Sequence, residues 1–135
     1  MFEQFTQRLD GLSNSLVLRA HRQQLIASNI ANADTPGFVS RDFNFAQALQ
    51  NANAGIRHGT DPAATHNRHL RLTTSETGTD QRLAYTVQTQ PSLDKNTVDM
   101  DRERANFTDN AIRYESTLRF INGHVKTMLS AIQGQ

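Results

Sequence analysis

The 135-residue chain contains no cysteine and no tryptophan, and only three prolines. Without cysteine, disulfides and thiolate metal sites are excluded, but the redox compartment stays open, since such a chain suits either setting. An excess of charge of one sign is also lacking: 14 Lys and Arg stand against 13 Asp and Glu, a formal net charge of +1. That balance gives no electrostatic case for nucleic acid or an acidic membrane surface as partner. Apolar runs are short, and none approaches the roughly 20 residues that a membrane span needs. The opening MFEQFTQRLDGL carries an acid at Glu3 and lacks the basic start, apolar block and small-residue cleavage site of a secretory signal. The protein is therefore expected either to stay in the cytosol or to leave it by a route that does not read such a signal. Its length implies one domain spanning 1–135, while a mean hydropathy of -0.61 leaves a self-sufficient core unassured.

What the sequence does have is period. Phe2, Phe5, Leu9, Leu12, Leu16, Arg19, Gln23, Ile26 and Ile30 alternate by three and four. That is the seam of a long helix over residues 1–32, weakened at Gly11 by about 1 kcal/mol relative to Ala. The C-terminal third repeats the pattern at Met100, Arg104, Phe107, Ala111, Tyr114, Leu118, Ile121, Val125, Met128 and Ile132. A second helix is predicted over 96–133, with Asn96 as its N-cap and Asp99, Asp101 and Glu103 near its positive end. Arg104 lies on this seam and should find a carboxylate or extend outward.

Residues 33–95 read as a variable, partly disordered insert. NFAQALQNA, from Asn44, has the N-cap signature of a short helix, with Asn44 capping and Gln47 three residues on. Residues 51–68 read as a flexible loop rich in Asn, Ala, Gly and Thr. HLRLTT and RLAYTVQT alternate apolar and polar residues and suit a weak β-hairpin joined by SETGTD. The fold class expected is mainly α, with two long terminal helices paired as an antiparallel coiled coil. Leu18, Leu25, Ile112 and Phe120 are apolar but fall off both seams, so each is expected to meet further helices or a folded-back insert.

Between the first helix and the insert stands NIANADTPGF. Pro36 has no amide hydrogen and disfavours helix at Thr35, so it ends the first helix. Pro36 and Gly37 fit the central positions of a type II turn, and Asn32 and Asp34 suit a helix end. Phe38 gives the departing chain an apolar anchor.

The stretch LRAHRQQLIASNIANADTPGFVSRDF, with its Ala31-Asn32-Ala33-Asp34-Thr35-Pro36-Gly37-Phe38, resembles the N-terminal signature of bacterial flagellar axial proteins, the rod, hook and hook-associated subunits. KNTVDMDRERANFTDNAIRYESTLRFINGHVKTML resembles their return helix. Short length, SRDF and PSLDKNTVDMDRE point to the basal-body rod proteins and to a proximal rod subunit. Lys95 departs from the pattern, which usually has Gly before the Asn. The resemblance implies a structural subunit, not an enzyme, in the tubular drive shaft that transmits torque around the export channel. It implies ends that order on assembly, with the off-seam residues met by neighbouring subunits. It also implies partners: copies of itself, other rod subunits, and the membrane-ring and export-gate base. Delivery to the periplasmic rod would be by the flagellar type III export apparatus, without a cleaved signal peptide.

His58, His66 and His69 with Asp61 have the residue types of a zinc site, but sit in a loop with no rigid element, so solvated histidines are the plainer reading. His21 and His124 are helical and expected to meet water or a neighbour. Asp99, Asp101 and Glu103 fit a charged first helical turn better than an acid–base pair. Arg102, Arg104 and Arg113 with Glu103 and Glu115 read as helix-face ion pairs. No metal or cofactor is expected, and a soluble cytosolic helical adaptor is the alternative function.

Overall fold

A computed structural model of the chain describes residues 2–57, 84–85 and 93–134. Helix α1 spans Phe2–Ala31, thirty residues without proline. Helix α2 spans Phe45–Arg57, and helix α3 spans Met100–Gln133. Two short strands, β1 (Arg41–Asp42) and β2 (Ala84–Tyr85), pair antiparallel with Arg41 opposite Tyr85. The long helices α1 and α3 pack against each other and run antiparallel. Phe5 meets His124 edge-on at 6.2 Å between ring centroids, Arg19 and Gln23 meet Asn110, and Asn32 meets Asn96.

The chain then doubles back along α1. After the turn at 32–38, Arg41 lies beside Asn29, Asp42 beside Arg22, and Phe43 stacks on His21 at 5.6 Å. Helix α2 continues in the same direction, with the Arg19 guanidinium 4.3 Å over the Phe45 ring and Asn53 accepting from Asn14. A cation over an aromatic face gains from the ring's negative surface, which holds the start of α2 on α1. Asn44 caps α2, its Oδ1 accepting from Gln47 N at 3.2 Å. The helix runs on to Arg57 rather than giving way to loop at residue 51. Its packing on α1 through Asn53 supplies the contacts that local propensity lacks. β2 lies within RLAYTVQT, but its partner is β1. HLRLTT and SETGTD, as well as His58, Asp61, His66 and His69, lie outside the described residues.

Helix α3 starts later than residue 96. Its N-cap is Asp99, whose carboxylate accepts from Asp101 N and Arg102 N at 3.1 and 3.2 Å. Asn96 is not the cap because its side chain is committed elsewhere, as set out below.

The core among the described residues is small. Its buried apolar side chains are Leu18, Ile26 and Phe43. Leu18, expected off the seam, is fully buried, and Leu25 is half-buried. On α1 the remaining seam residues Phe5, Leu9, Leu12, Leu16 and Ile30 are half-buried. On α3 the half-buried positions are Tyr114, Ile121 and Met128, but Phe107, Leu118 and Val125 are exposed at 39, 40 and 42 %. The positions turned onto α1 are instead Glu103, Asn110 and Thr117, seven residues apart and buried. Alternate members of the seam thus sit one residue earlier than the apolar pattern indicates, and they are polar. Arg104 accordingly lies outside and exposed. Ile112 and Phe120 are exposed at 61 and 64 %. The surface ion pairs of α3 are Arg113–Asp109 and Arg119–Glu115, both four residues apart and solvent-exposed, so each contributes little.

Candidate functional site

The densest arrangement of directed contacts joins the two sequence motifs, residues 28–43 and 94–103. It starts with the stop of α1. Asn32 N donates to Ser28 O at 3.1 Å, and the Asn32 side chain donates to the same oxygen at 2.8 Å. Thr35 then closes on Asn32 through N–H to O at 3.0 Å and through its hydroxyl at 3.2 Å. These bonds satisfy groups that a helix end leaves open. Phe38 N donates to Thr35 O at 3.2 Å, so Pro36 and Gly37 are the central residues of a tight turn. Gly37 has φ 72°, the positive value that a type II turn needs at that place. Ala31, Thr35, Pro36 and Gly37 are exposed, while Asn32 and Phe38 are half-buried.

The second motif grips this turn from across the chain. Asn96 is buried, and its side-chain NH2 donates to Asn32 O, Ala33 O and Thr35 O at 3.0, 2.7 and 2.9 Å. Its Oδ1 accepts from Val98 N at 2.8 Å. Two backbone bonds flank the grip: Gly37 N to Asp94 O at 2.7 Å, and Thr97 N to Phe38 O at 3.1 Å. Ser40, itself buried, donates its N–H to Thr97 Oγ1 at 2.8 Å. Lys95, between these bonds, has φ 59°. That left-handed conformation disfavours a Cβ, so the position would suit glycine on backbone grounds.

Below the clasp, Asn29 presents its amide to one residue of the returning chain. Asn29 Oδ1 accepts from Arg41 N at 3.1 Å and its NH2 donates to Arg41 O at 2.9 Å, as a neighbouring strand would. Arg22 forks onto Asp42 with Nε to Oδ1 at 3.1 Å and Nη2 to Oδ2 at 2.8 Å. The bond to Asp42 holds the Arg22 pKa above its ordinary value. Glu103 faces the same cluster. Burial pushes its carboxyl up and nearby Asp42 adds to this, against a hydrogen bond from Asn29 and the charges of Arg102 and Arg22. Arg19, further down α1, is pushed below its ordinary value by burial and by Arg113. Together these contacts fix the end of α1, the returning strand and the start of α3 against one another.

A sequence model described as flagella basal body rod protein matches residues 9–38 of this chain, the last third of which enters the clasp. Over 133 residues, the chain is 44 % identical to the flagellar basal body rod protein FlgB of Yersinia enterocolitica, covering 93 % of this chain and 96 % of that one. The chain belongs to the flagellar basal body rod protein family. The FlgB of Escherichia coli strain K12 is 43 % identical over 122 residues, 88 % of each chain. That of Salmonella typhimurium is 44 % identical over 124 residues, 89 % of this chain and 88 % of the other. In this rod-family chain the turn residues and Asn96 meet, whereas on α3 Tyr114, Ile121 and Met128 are half-buried and Phe107, Leu118 and Val125 are exposed. Sequence reasoning missed Asn29, Ser40 and Thr97, because small polar side chains carry no periodic signal. Asn96 was visible in the second motif, but as a cap. The family's glycine before it was the clue to a left-handed backbone at Lys95.

Proposed function

We propose that the chain is a structural subunit of the proximal flagellar rod, without enzymatic activity, that polymerises into the tubular shaft transmitting torque around the export channel. The observation that carries this reading is the likeness to rod proteins over nearly the whole chain. The structure supports it physically: α3 leaves Phe107, Ile112, Leu118, Phe120 and Val125 exposed, more apolar surface than one helix needs to show water. In an assembly these side chains, with the half-buried Phe5, Leu9, Leu12, Leu16, Ile30, Tyr114, Ile121 and Met128, would pack on copies of the chain and on other rod subunits. The clasp would fix where the chain leaves the inner wall. Partners at the base are the membrane ring and export gate, and delivery to the periplasmic rod is by the flagellar export apparatus. No helix among the described residues is long and apolar enough to cross a membrane. Deleting the gene in its own motile bacterium tests the reading. Loss of swimming and of complete basal bodies is expected, restored by the gene supplied in trans. Normal swimming with intact basal bodies would end it.

A further inference from the structure

Helix α3 turns a column of polar side chains onto α1 where an apolar stripe stands close by. The face turned onto α1 carries the buried Glu103, Asn110 and Thr117 beside the half-buried Tyr114, Ile121 and Met128, while Phe107, Leu118 and Val125 stand at its edge, 39–42 % exposed. At 100° per residue, positions 110 and 118 lie about 80° apart around the helix. A rotation of about 60–80° would therefore exchange the polar column for the stripe of Phe107, Leu118 and Val125. Burial of Phe107, Leu118 and Val125 favours that rotation, against the partial burial that Ile121 and Met128 would give up. Two buried atoms, Glu103 Oε2 and Asn110 Oδ1, even lack a hydrogen-bond partner in the present orientation.

What opposes the rotation is directional bonding. Asn110, 1 % exposed, donates from its NH2 to Arg19 O at 2.9 Å and to Gln23 Oε1 at 2.6 Å. Both acceptors belong to α1, so the bonds tie one angular position of α3 to one place on its partner. A single buried Asn in a helix pair is a known device for choosing register at the expense of stability. Glu103, one heptad earlier, points the same way into the Asn29 cluster. The Thr117 hydroxyl, one heptad later, returns to Arg113 O of its own helix at 2.8 Å and makes no demand on α1.

We propose that Asn110, supported by Glu103, sets the rotation of α3 about its axis and so keeps the stripe of Phe107, Leu118 and Val125 on the outside. The inference stands on the geometry and does not depend on what the stripe binds. Because the chain has no native cysteine, single thiols report on orientation cleanly. In the full-length chain, Leu118→Cys should react with a maleimide at least ~10-fold faster than Thr117→Cys, since burial protects the latter. Adding Asn110→Ala, which removes both bonds without placing a large apolar side chain at the buried position, should bring that ratio to about one or invert it as α3 turns. Gln23→Leu removes an acceptor from α1 without touching α3 and should move the ratio the same way. If Asn110→Ala fails to fold, Gln23→Leu decides the matter alone. A ratio unchanged in a folded variant of either kind would overturn the proposal. Loss of helix in both variants would overturn it too, because the polar contacts would then supply the pairing itself and not its rotation.

Discussion

Asn96 is where the two halves of the clasp depend on one side chain, and its removal has a calculable cost. Its two amide hydrogens serve three carbonyls at 2.7–3.0 Å, and its Oδ1 accepts one backbone N–H. At about 1 kcal/mol net per hydrogen bond, three bonds lost with little water to replace them amount to about 2–4 kcal/mol for Asn96→Ala. Asn96→Asp keeps the shape but aims a carboxylate at three oxygens, so at neutral pH it should cost at least as much as the alanine. The repulsion raises the folded-state pKa of that new carboxyl, so part of the stability should return as pH falls and its hydroxyl can donate. Urea unfolding followed by circular dichroism gives the cost, with the exposed Asn122→Ala as control. Hydrogen exchange locates it: the amides of Gly37 and Thr97, which bridge the motifs, should lose protection first. A loss below about 0.5 kcal/mol, with both amides still protected, would refute the view that Asn96 holds the clasp.

Other outcomes follow from the same geometry. Lys95→Gly should stabilise the chain by about 0.5–1 kcal/mol in urea unfolding, because Lys95 holds φ 59° with a Cβ; Lys95→Val should destabilise it. Burial raises the Glu103 pKa above its ordinary 4.5, so the protonated form is the one the fold prefers. Its contribution is most favourable below that ordinary value and is lost as pH rises through the folded pKa. Glu103→Gln should therefore flatten this part of the pH–stability curve and match or exceed the parent at neutral pH. Leu18→Ala should cost about 2–4 kcal/mol, whereas Leu118→Ala should cost under about 0.5 kcal/mol, the reverse of what the heptad pattern implies.

The two long helices, the Asn44 cap and the turn at Pro36-Gly37 were legible because each follows from rules that act over a few residues. Apolar spacing of three and four defines a helix whatever it packs on, a proline ends one, and a glycine accepts φ 72° without a partner. The family was legible from two separated motifs for a related reason, since a short signature survives as residue identity alone. Which face of α3 meets α1 was not legible. Apolar residues occupy more than one stripe of that helix, and the choice between stripes is made by Asn110 reaching Arg19 and Gln23, far away in the chain. The same holds for Asn96, whose side chain could cap a helix locally but finds better-placed acceptors at residues 32–35. Local sequence thus determined the elements and their ends. Only the tertiary structure decided their rotation and the clasp, because hydrogen-bond partners far apart in the chain are chosen by three-dimensional proximity, and periodicity records no such choice.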